Sequence, residues 1–572
     1  MPSQVMPASG PEPGSLHPAP GLFTPKLITV LREGYGLREI RADALAGLTV
    51  AIVALPLSMA IAIASGVGPE RGLYTAIVGG FLVSALGGSR FQVGGPAGAF
   101  IVLVAATVMR HGIEGLILAT FMSGMFLMAA GYLRLGSYIK FIPYPVTVGF
   151  TAAIALIIAA SQLHQFFGLT LAGSEPSELV PKIAALLDAL PTITPAAALV
   201  ATGTMAAILG LRRVRPGWPG MLIAVAMAAI AADFLPVQVE TIGTRFGGIS
   251  STLPVPALPD VSPALILAVL PDALAFTLLG AIESLLSAVV ADGMTGRRHR
   301  SNCELVAQGA ANMGAALFGG FCVTGTIART ATNVRAGAVG PVAGMLHAIF
   351  LLAFVLIAAP LAAFIPLAAL AGVLMVVAWN MVERQAFAAL LTGPRGDALV
   401  LMATFLLTVF RDLAEGIIAG TVLGGMLFIH RMAEAMSVET HTAFAGTDLP
   451  DSADPRGRYN AAVASNPDVV VYRLSGAFFF GSAATVSSVL DRISARHRIL
   501  ILDLEDVPVL DSSAANAIAI AIRQAEMRGI RTILTGVRPA LREILDAHEA
   551  GEPHAAYAAT VEAALKAVSA GS

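Results

Sequence analysis

Residues 319–338 read GGFCVTGTIARTATNVRAGA and lie between two apolar segments, 304–318 and 340–360. The stretch has the length to sit inside a membrane, yet it carries Arg329, Asn333, four threonines and several glycines. A charged side chain at that depth is costly unless it is paired or hydrated, so such residues mark functional sites. The stretch therefore predicts a polar site inside a membrane protein.

The composition agrees with a membrane protein. Of the 572 residues, 56% are hydrophobic and 13% are charged, whereas soluble domains carry about 25% charged residues. The net charge of -2 says nothing about nucleic acid, but the sequence has no dense basic patch, and we expect no nucleic-acid partner. Cys303 and Cys322 form neither a disulfide framework nor a metal-ligand spacing, and we interpret both as packing residues.

Twelve apolar runs are long enough to span a bilayer. They lie at 44–65, 71–87, 113–132, 145–166, 195–211, 219–235, 270–291, 303–318, 341–359, 363–383, 396–410 and 415–430. Two further segments, 93–109 and 324–339, are short, glycine-rich and partly polar. The sequence therefore predicts an α-helical polytopic membrane protein with about 14 spans.

The arginine and lysine clusters follow every second span. They are the N-terminal flank at 26–41 and the loops at 134–140, 212–215, 297–300, 384–395 and from residue 431. Because these residues collect on the cytoplasmic side of a membrane, fourteen spans place both termini in the cytoplasm. We expect a multi-pass protein of the bacterial inner (plasma) membrane.

The two irregular segments occupy the third and the tenth span, so each is third in a half of seven spans. A repeat of seven spans reverses its orientation, because seven is odd. Short segments interrupted by glycine or proline at matching positions of two inverted halves indicate the binding site of a transporter.

The sequence changes character past about Ser437. Strand patterns at 468–476, 498–511 and 531–537 alternate with helix patterns at 513–529 and 539–549, which is typical of a small α/β domain with a largely buried sheet. We therefore predict four parts. They are a disordered N-terminal tail at 1–25, a transmembrane transport domain at 26–436, a linker with an edge element at 437–466, and the α/β domain at 467–572.

Each irregular segment is expected to run extended and then begin a helix. Residues 92–94 precede Pro96, which suits the first turn of a helix, and residues 321–324 precede a helix from about Thr326. If the halves are inverted, the two helix N-termini meet near the membrane midplane. Each N-terminus carries about half a positive charge and unpaired N–H groups, which together make an anion site.

Arg329 lies about one turn into the second of these helices. We expect it to add positive potential for an anion. The alternative is a structural arginine that pairs with a carboxylate such as Glu283 or extends to the membrane interface.

Glu283 is a second charge inside an apolar span. If its helix starts near Ala273, Glu283 lies roughly 15 Å deep, and Ser287 lies on the same face one turn later. We expect a proton- or cation-coupling pair; the alternatives for Glu283 are a partner for Arg329 or a polar contact between helices. Ser58, close to Pro56, is expected either to line the cavity or to serve as a small packing residue.

Four stretches together resemble the sulfate permease (SulP) family, also called solute carrier family 26. They are LTVAIVALPLSMAIAIASGVGPERGLYTAIVGG (48–80), GGSRFQVGGPAGAF (87–100), GAIESLLSAVVADGMTG (280–296) and GTIARTATNVRAGA (325–338). The resemblance covers nearly the whole chain from about Thr24. The C-terminal region resembles the cytoplasmic STAS domain of the family, with VPVLDSSAANA (507–517) at its signature loop.

The resemblance implies seven-plus-seven inverted repeats divided into core and gate domains, elevator-type movement and a homodimer. It also implies an anion held between the third and tenth helices. The second-half motifs most resemble the bacterial dicarboxylate-transporting branch, and other members move bicarbonate or sulfate. The candidate substrate-binding residues are Ser58, Gly95, Pro96, Ala97, Gly98, Thr326, Ala328, Arg329 and Thr330. Glu283 matches the acidic position that couples transport to protons or sodium in relatives, and Ser287 is grouped with it.

The signature loop of the STAS domain carries one regulatory candidate. In related soluble proteins the second serine of this loop can be phosphorylated, and Ser513 matches it. The interpretation we favour is that Ser512 or Asp511 caps the following helix. The domain is also a candidate site for a cytoplasmic protein partner.

These observations predict a secondary active transporter of small anions, namely a C4-dicarboxylate, sulfate or bicarbonate. We expect H⁺ as the coupling ion, with Na⁺ as the alternative, and no cofactor, metal site or catalytic residue. The rival hypotheses are a nucleobase symporter of the same architecture, an anion channel, and a membrane sensor that signals through the STAS domain. A neutral nucleobase needs no cation, so Arg329 argues against the first rival.

Overall fold

The computed structural model describes residues 21–137, 142–173, 175–176, 178–215, 218–234, 239–411, 413–434, 437–441, 468–478 and 497–570. The chain divides into two compact units, Met1–Thr421 and Val422–Ser572, and each is described by itself. Most of the predicted tail, residues 1–20, and most of the predicted linker, residues 442–466, lie outside the described residues.

The first unit is built from helices. They are α1 (Lys26–Arg32), α2 (Leu37–Ala64), α3 (Pro69–Tyr74), α4 (Gly80–Leu86), α5 (Ile101–Tyr132), α6 (Tyr144–Phe167), α7 (Leu179–Asp188), α8 (Pro195–Val214), α9 (Gly220–Phe234), α10 (Ile242–Phe246), α11 (Pro263–Thr295), α12 (Ser301–Leu317), α13 (Ile327–Arg335), α14 (Val342–Ala362), α15 (Leu367–Met381), α16 (Arg384–Thr392), α17 (Arg395–Phe410) and α18 (Leu413–Glu434). A π-helical turn, Thr75–Gly79, joins α3 to α4. Eight of the described helical segments are long and apolar enough to cross a membrane. The helical membrane fold predicted from the sequence is confirmed.

The two spans predicted at 93–109 and 113–132 meet within α5. Two helices follow one another in this element, and Gly112, where φ is 67° and ψ is −170°, separates them. Glycine adopts positive φ at low cost because it has no Cβ. The two spans therefore meet at a sharp bend without a loop between them.

The sequence analysis does not predict α1, α7, α10 and α16. These helices have 7, 10, 5 and 9 residues. Such lengths contain too few turns to show the apolar periodicity on which helix prediction rests.

The long helices pack as two groups. In the first, α5 packs against α11 and α12, and α2 packs against α14. In the second, α6 packs against α15 and α17, and α15 packs against α8. We call these the α5 group and the α6 group.

Small residues bring the helices of the α5 group close together. A Cβ added at Gly124 on α5 would lie 2.7 Å from the carbonyl oxygen of Gly309 on α12. Such contacts between glycines let two helix backbones approach closely inside a membrane. The close packing fixes α5, whose first turn forms one side of the predicted site.

Two short strands precede the helices of the predicted site. Strand β1 (Gly94–Gly95) lies before α5, and strand β2 (Thr324–Gly325) lies before α13. They pair antiparallel, with Gly94 opposite Gly325 and Gly95 opposite Thr324. The helices that follow therefore leave the pair in opposite directions, as two inverted halves require.

The second unit contains a five-stranded sheet. Its strands are β3 (Ser437–His441), β4 (Val469–Ser475), β5 (Ile499–Asp506), β6 (Arg531–Thr535) and β7 (Ala555–Ala558), in that spatial order. Strand β3 runs antiparallel to β4, and the other neighbours are parallel. The described helices are α19 (Ser512–Met527), α20 (Pro539–Ala547) and α21 (Val561–Ala570).

Both faces of this sheet are covered. In β5, Leu500, Leu502 and Leu504 belong to the apolar cluster formed with α19 and α20, whereas Ile501 belongs to the cluster formed with α21. Successive residues of a strand point to opposite faces, so the continuous apolar run of β5 serves two cores. The predicted α/β domain with a buried sheet is confirmed, and β7 and α21 extend it beyond the predicted elements.

Candidate functional site

The site is organised by the pairing of β1 with β2. Beyond the paired residues, the backbone N–H of Thr326 donates to the carbonyl oxygen of Val93, at 3.2 Å. These contacts hold the starts of α5 and α13 side by side. The sequence predicted this meeting of two helix starts.

The first turns of both helices lack a side-chain cap among the described residues. Thr326 is the N-cap of α13, and Ala97 precedes the 3-10 turn Gly98–Phe100 that leads into α5. The first N–H groups of a helix have no acceptor within the helix, and they carry the positive end of its dipole. Two such ends at one place can bind an anion.

Pro96 lies ahead of its helix and not within the first turn. The structure extends the chain as far as Ala97, where φ is −114° and ψ is 146°. The pairing of Gly94 and Gly95 with β2 keeps this stretch extended. The helix therefore begins two residues later than predicted, and the carbonyl of Pro96 remains available as an acceptor.

Arg329 reaches from α13 across the gap between the two helix starts. Its side chain is buried, with 2% exposure. One guanidinium nitrogen, Nη2, donates to the Pro96 carbonyl at 3.2 Å and to Ser58 Oγ at 3.1 Å, and Nη1 lies 3.4 Å from the Gly94 carbonyl. Its Nε has no hydrogen-bond partner among the described residues.

These contacts exclude one alternative for Arg329, the ion pair with Glu283. Within the described part of the chain, the guanidinium has no carboxylate partner, and it binds neutral oxygens of α2 and of the segment before α5. The positive charge therefore stays uncompensated beside two helix N-termini. An anion at this place would meet one full charge and two helix dipoles.

Thr330 and Ser287 form hydrogen bonds that link α13, α11 and the segment before α5. The hydroxyl oxygen of Thr330 accepts from the backbone N–H of Val93 at 3.2 Å and from Ser287 Oγ at 3.0 Å. Asn333, one turn further on, donates to the carbonyl of Phe91 at 2.9 Å. Both hydroxyls are thus engaged with protein groups, in places where the sequence suggested contacts with substrate or a cation.

Glu283 is half-buried on α11. Helix α11 begins at Pro263, ten residues before the start assumed from the sequence, so Glu283 lies about 30 Å along it at about 1.5 Å per residue. Neither an ion pair nor a hydrogen bond engages its carboxylate within the described residues. The alternative of a pairing with Arg329 is therefore absent from the described structure, and the carboxylate has no partner there.

A buried amide network, which the sequence analysis missed, supports the segments before both helices. Gln92 donates to Ser284 Oγ at 2.7 Å, and Ser284 donates to Gln308 Oε1 at 3.1 Å. Gln308 in turn donates to the carbonyl of Val323, and Asn312 bonds both the N–H and the carbonyl of Val323 at 3.0 Å. The available signal was Gln308 and Asn312, two amides in the mainly apolar part of α12 that follows Glu304.

The α6 group contributes an apolar wall that the sequence analysis also missed. A Cβ added at Gly98 would lie 3.1 Å from Ile158 Cδ1 on α6 and 3.8 Å from Met381 Sδ on α15. Gly98 is half-buried and Ala328 is exposed. No local pattern identifies Ile158 or Met381, because both meet the site through long-range packing.

A cavity of about 620 Å³ lies beyond the ends of α2 and the first part of α5. Ile63 and Ala105 line it on the side of the α5 group, and Leu367 lines it on the side of the α6 group. Its lining includes Lys182 and Glu175, which form an ion pair at 3.0 Å. None of the predicted substrate-binding residues is among the described residues that line it.

In the C-terminal unit, Asp511 caps α19. Its Oδ1 accepts from the backbone N–H of Ala514 at 2.8 Å, as the favoured interpretation of the loop proposes. Ser513 is exposed on the first turn of the helix. The structure therefore assigns the loop a capping function, and Ser513 remains a regulatory candidate.

Comparison with known proteins finds a family model that matches each of the two units. The model described as "Sulfate permease family" matches residues 40–404, and the model described as "STAS domain" matches residues 460–563. The "Putative sulfate transporter YvdB" of Bacillus subtilis is 39% identical over 531 residues, which cover 91% of this chain and 97% of that protein. The "Bicarbonate transporter BicA" of Picosynechococcus is 30% identical over 525 residues, which cover 89% of this chain and 91% of that protein.

A solved structure has the same fold over nearly the whole chain. The murine Solute Carrier 26 family member A9 anion transporter in the inward-facing state matches with a TM-score of 0.82 and 18% identity, over 95% of this chain and 94% of that one. At this identity the match is evidence for the fold alone.

Proposed function

Because the chain belongs to the sulfate permease family, we propose that it is a secondary active transporter of small anions in the bacterial inner membrane. The observation that carries the proposal is the uncompensated guanidinium of Arg329 between two uncapped helix starts. The chain is an integral membrane transporter and not an enzyme.

The substrate is a small anion of one or two charges. Relatives of this chain carry the names sulfate transporter and bicarbonate transporter, and a C4-dicarboxylate offers the same charge. A full positive charge near the anion, in a partly hydrated cavity, contributes on the order of 1–3 kcal/mol. That free energy corresponds to about ten- to a hundredfold in affinity.

Glu283 is the proposed coupling residue. A carboxylate without a partner in the described structure, inside an apolar helix, can take up and release a proton. A proton is the coupling ion that requires the least coordination, and Na⁺ is the alternative. Coupling to either cation would drive accumulation of the anion.

The proposal also covers how the helix groups move during transport and how many subunits the transporter has. Two helix groups that pack mainly within themselves support an elevator-type displacement of the α5 group, which carries Arg329, past the α6 group. We propose a homodimer with both termini in the cytoplasm, and a protein partner at the STAS domain. Two-colour labelling of the purified protein would count its subunits.

The test of the anion site compares Arg329→Ala and Arg329→Lys with wild type. Affinity for sulfate, fumarate and succinate is measured by calorimetry on monodisperse detergent-purified protein, and bicarbonate is tested by uptake into proteoliposomes. We expect Arg329→Ala to weaken binding at least about tenfold. Arg329→Lys should recover part of the lost affinity, because lysine keeps the positive charge but lacks the planar guanidinium group with its several N–H donors.

Arg335→Ala is the matched control, because Arg335 is exposed in the last turn of the same helix. Wild-type affinity in Arg329→Ala would show that the arginine is structural.

Proteoliposomes under a pH gradient test coupling, and we expect Glu283→Gln to abolish accumulation of the anion and to spare anion binding. Current without accumulation in the wild type would indicate a channel, and binding without flux would indicate a sensor.

A further inference from the structure

His347 on α14 is fully buried. Its exposure is 0%, and among the described residues neither Nδ1 nor Nε2 makes a hydrogen bond of ordinary geometry, although the ring interacts with the backbone of Gly344 one turn earlier on the same helix. A neutral imidazole carries one N–H donor and one acceptor, and burying such groups unpaired is costly. An apolar side chain at this position would avoid that cost. Packing alone therefore does not explain a histidine here, which points to a functional role for the ring.

The elements around the ring present small residues to it. Helix α14 packs against α2, α4 and the π-helical turn Thr75–Gly79. A Cβ added at Gly80 on α4 would lie 3.9 Å from His347 Cε1, and one at Gly47 on α2 would lie 3.1 Å from the backbone nitrogen of His347. Neither α4 nor the π-helical turn contains a titratable residue.

Arg329 is the charged group that acts on the ring. A Cβ at Gly80 would also lie 2.8 Å from the Gly94 carbonyl, which accepts from Arg329 Nη1. The arginine and the histidine therefore lie close to one segment of backbone, and they interact electrostatically. Asp43 on α2, the other charged group at α14, accepts from the backbone N–H groups of Val339 and Gly340, ahead of the first turn.

We propose that His347 is a proton-binding residue that responds to the anion at Arg329. This inference rests on the proposed function, since it needs an anion at that site. Without the anion, burial in a low-dielectric interior and then the positive guanidinium both disfavour a second positive charge, so the imidazole stays neutral. When the anion compensates Arg329, the imidazole takes one proton from water; when the anion leaves, the proton returns to water.

The coupling between anion binding and proton binding is reciprocal, because each ligand changes the binding free energy of the other by the same amount. An anion that raises the affinity of His347 for a proton is itself bound more tightly when that proton is present. Raising the pH removes the proton. Anion affinity should therefore weaken with rising pH, by up to tenfold per pH unit across the titration.

The experiment measures proton uptake on anion binding to the full-length protein. Sulfate and fumarate are titrated by calorimetry in buffers of different ionisation enthalpy from about pH 6 to about pH 8, around the ordinary range of histidine. Both anions keep their charge in this range. We expect the proton uptake per anion to be lower by about one proton in His347→Gln and His347→Asn than in wild type, and the pH dependence of affinity that this proton causes to be lost.

The matched control is His554→Gln in the C-terminal unit, where His554 pairs with Glu526 at 2.8 Å, and it should behave as wild type. Glu283→Gln separates the two protonation sites even if the His347 variants do not fold. Uptake that persists in Glu283→Gln supports His347, and uptake that vanishes there overturns the inference. Anion binding without proton uptake in wild type overturns this inference alone, whereas absence of anion binding overturns the proposed function and the inference with it.

Discussion

Arg329 and Gly95 depend on each other. The guanidinium reaches the carbonyls of the segment before α5 only because residue 95 has no side chain, since a Cβ there would overlap Nη1. The sequence indicated both residues for separate reasons, the glycine for backbone access and the arginine for charge. The structure shows that the glycine makes room for the arginine.

Gly95→Ala should therefore displace the Arg329 guanidinium and weaken anion binding at least about tenfold, as Arg329→Ala does. Sulfate affinity by calorimetry on monodisperse protein is the measurement. Gly203→Ala is the control, because Gly203 is exposed on α8 and an added Cβ meets nothing within 4 Å. An unchanged affinity in Gly95→Ala would show that the observed arginine geometry is dispensable.

Single residues also mark the limit of prediction from sequence. Charges in apolar spans identify Arg329 and Glu283, because charges are rare there. Their partners do not follow from sequence. A salt bridge between the two was one alternative, whereas Arg329 binds carbonyls and a hydroxyl, and the hydroxyl of Ser287 donates to Thr330.

Tyr557 makes the stability of the C-terminal domain depend on pH. Burial, followed by the hydrogen bond that Tyr557 donates to Asp546 at 2.7 Å, raises the pKa of its phenol. A group with a raised folded-state pKa contributes fully below its unfolded pKa, near 10, and loses that contribution as pH rises further. We expect the unfolding free energy to fall above about pH 10, and less steeply in Tyr557→Phe, in denaturant titrations of the domain.

At the scale of elements, the cap of α19 should be measurable. Asp511 accepts from the N–H of Ala514, so Asp511→Ala leaves that donor without its cap and should cost about 1 kcal/mol. Ser513→Ala, at an exposed position of the same turn, is the comparison and should cost little. Urea unfolding of the domain gives both values, and equal costs would contradict the assignment of the cap to Asp511.

Helix existence was more predictable than helix ends. Hydropathy locates the spans, but α11 starts ten residues before the start near Ala273 that was assumed from the sequence. The helix instead begins at Pro263, where Ser262 accepts from the N–H of Leu265 at 3.3 Å, and it continues through Pro271. A proline inside a helix is tolerated in membranes because neighbouring groups satisfy the freed backbone.

For the whole molecule, the two units should be separable. The sheet of the C-terminal unit has an apolar cluster on each face, both built from its own residues. We expect a fragment of residues 457–572 to fold alone and to show a mixed α/β circular dichroism spectrum. Leu502→Asp, at a fully buried position, should abolish the signal, and an unfolded wild-type fragment would disprove separability.

The antiparallel pairing of β1 with β2 has a consequence for selectivity. The backbone pairing fixes the spacing of the two helix starts, so an anion bound as proposed would occupy a space whose width is set by main-chain hydrogen bonds. That width would be the same when the anion enters the site and when it leaves. The ranking of anions by radius should therefore be identical from either compartment, and the direction of net flow should follow the gradients alone.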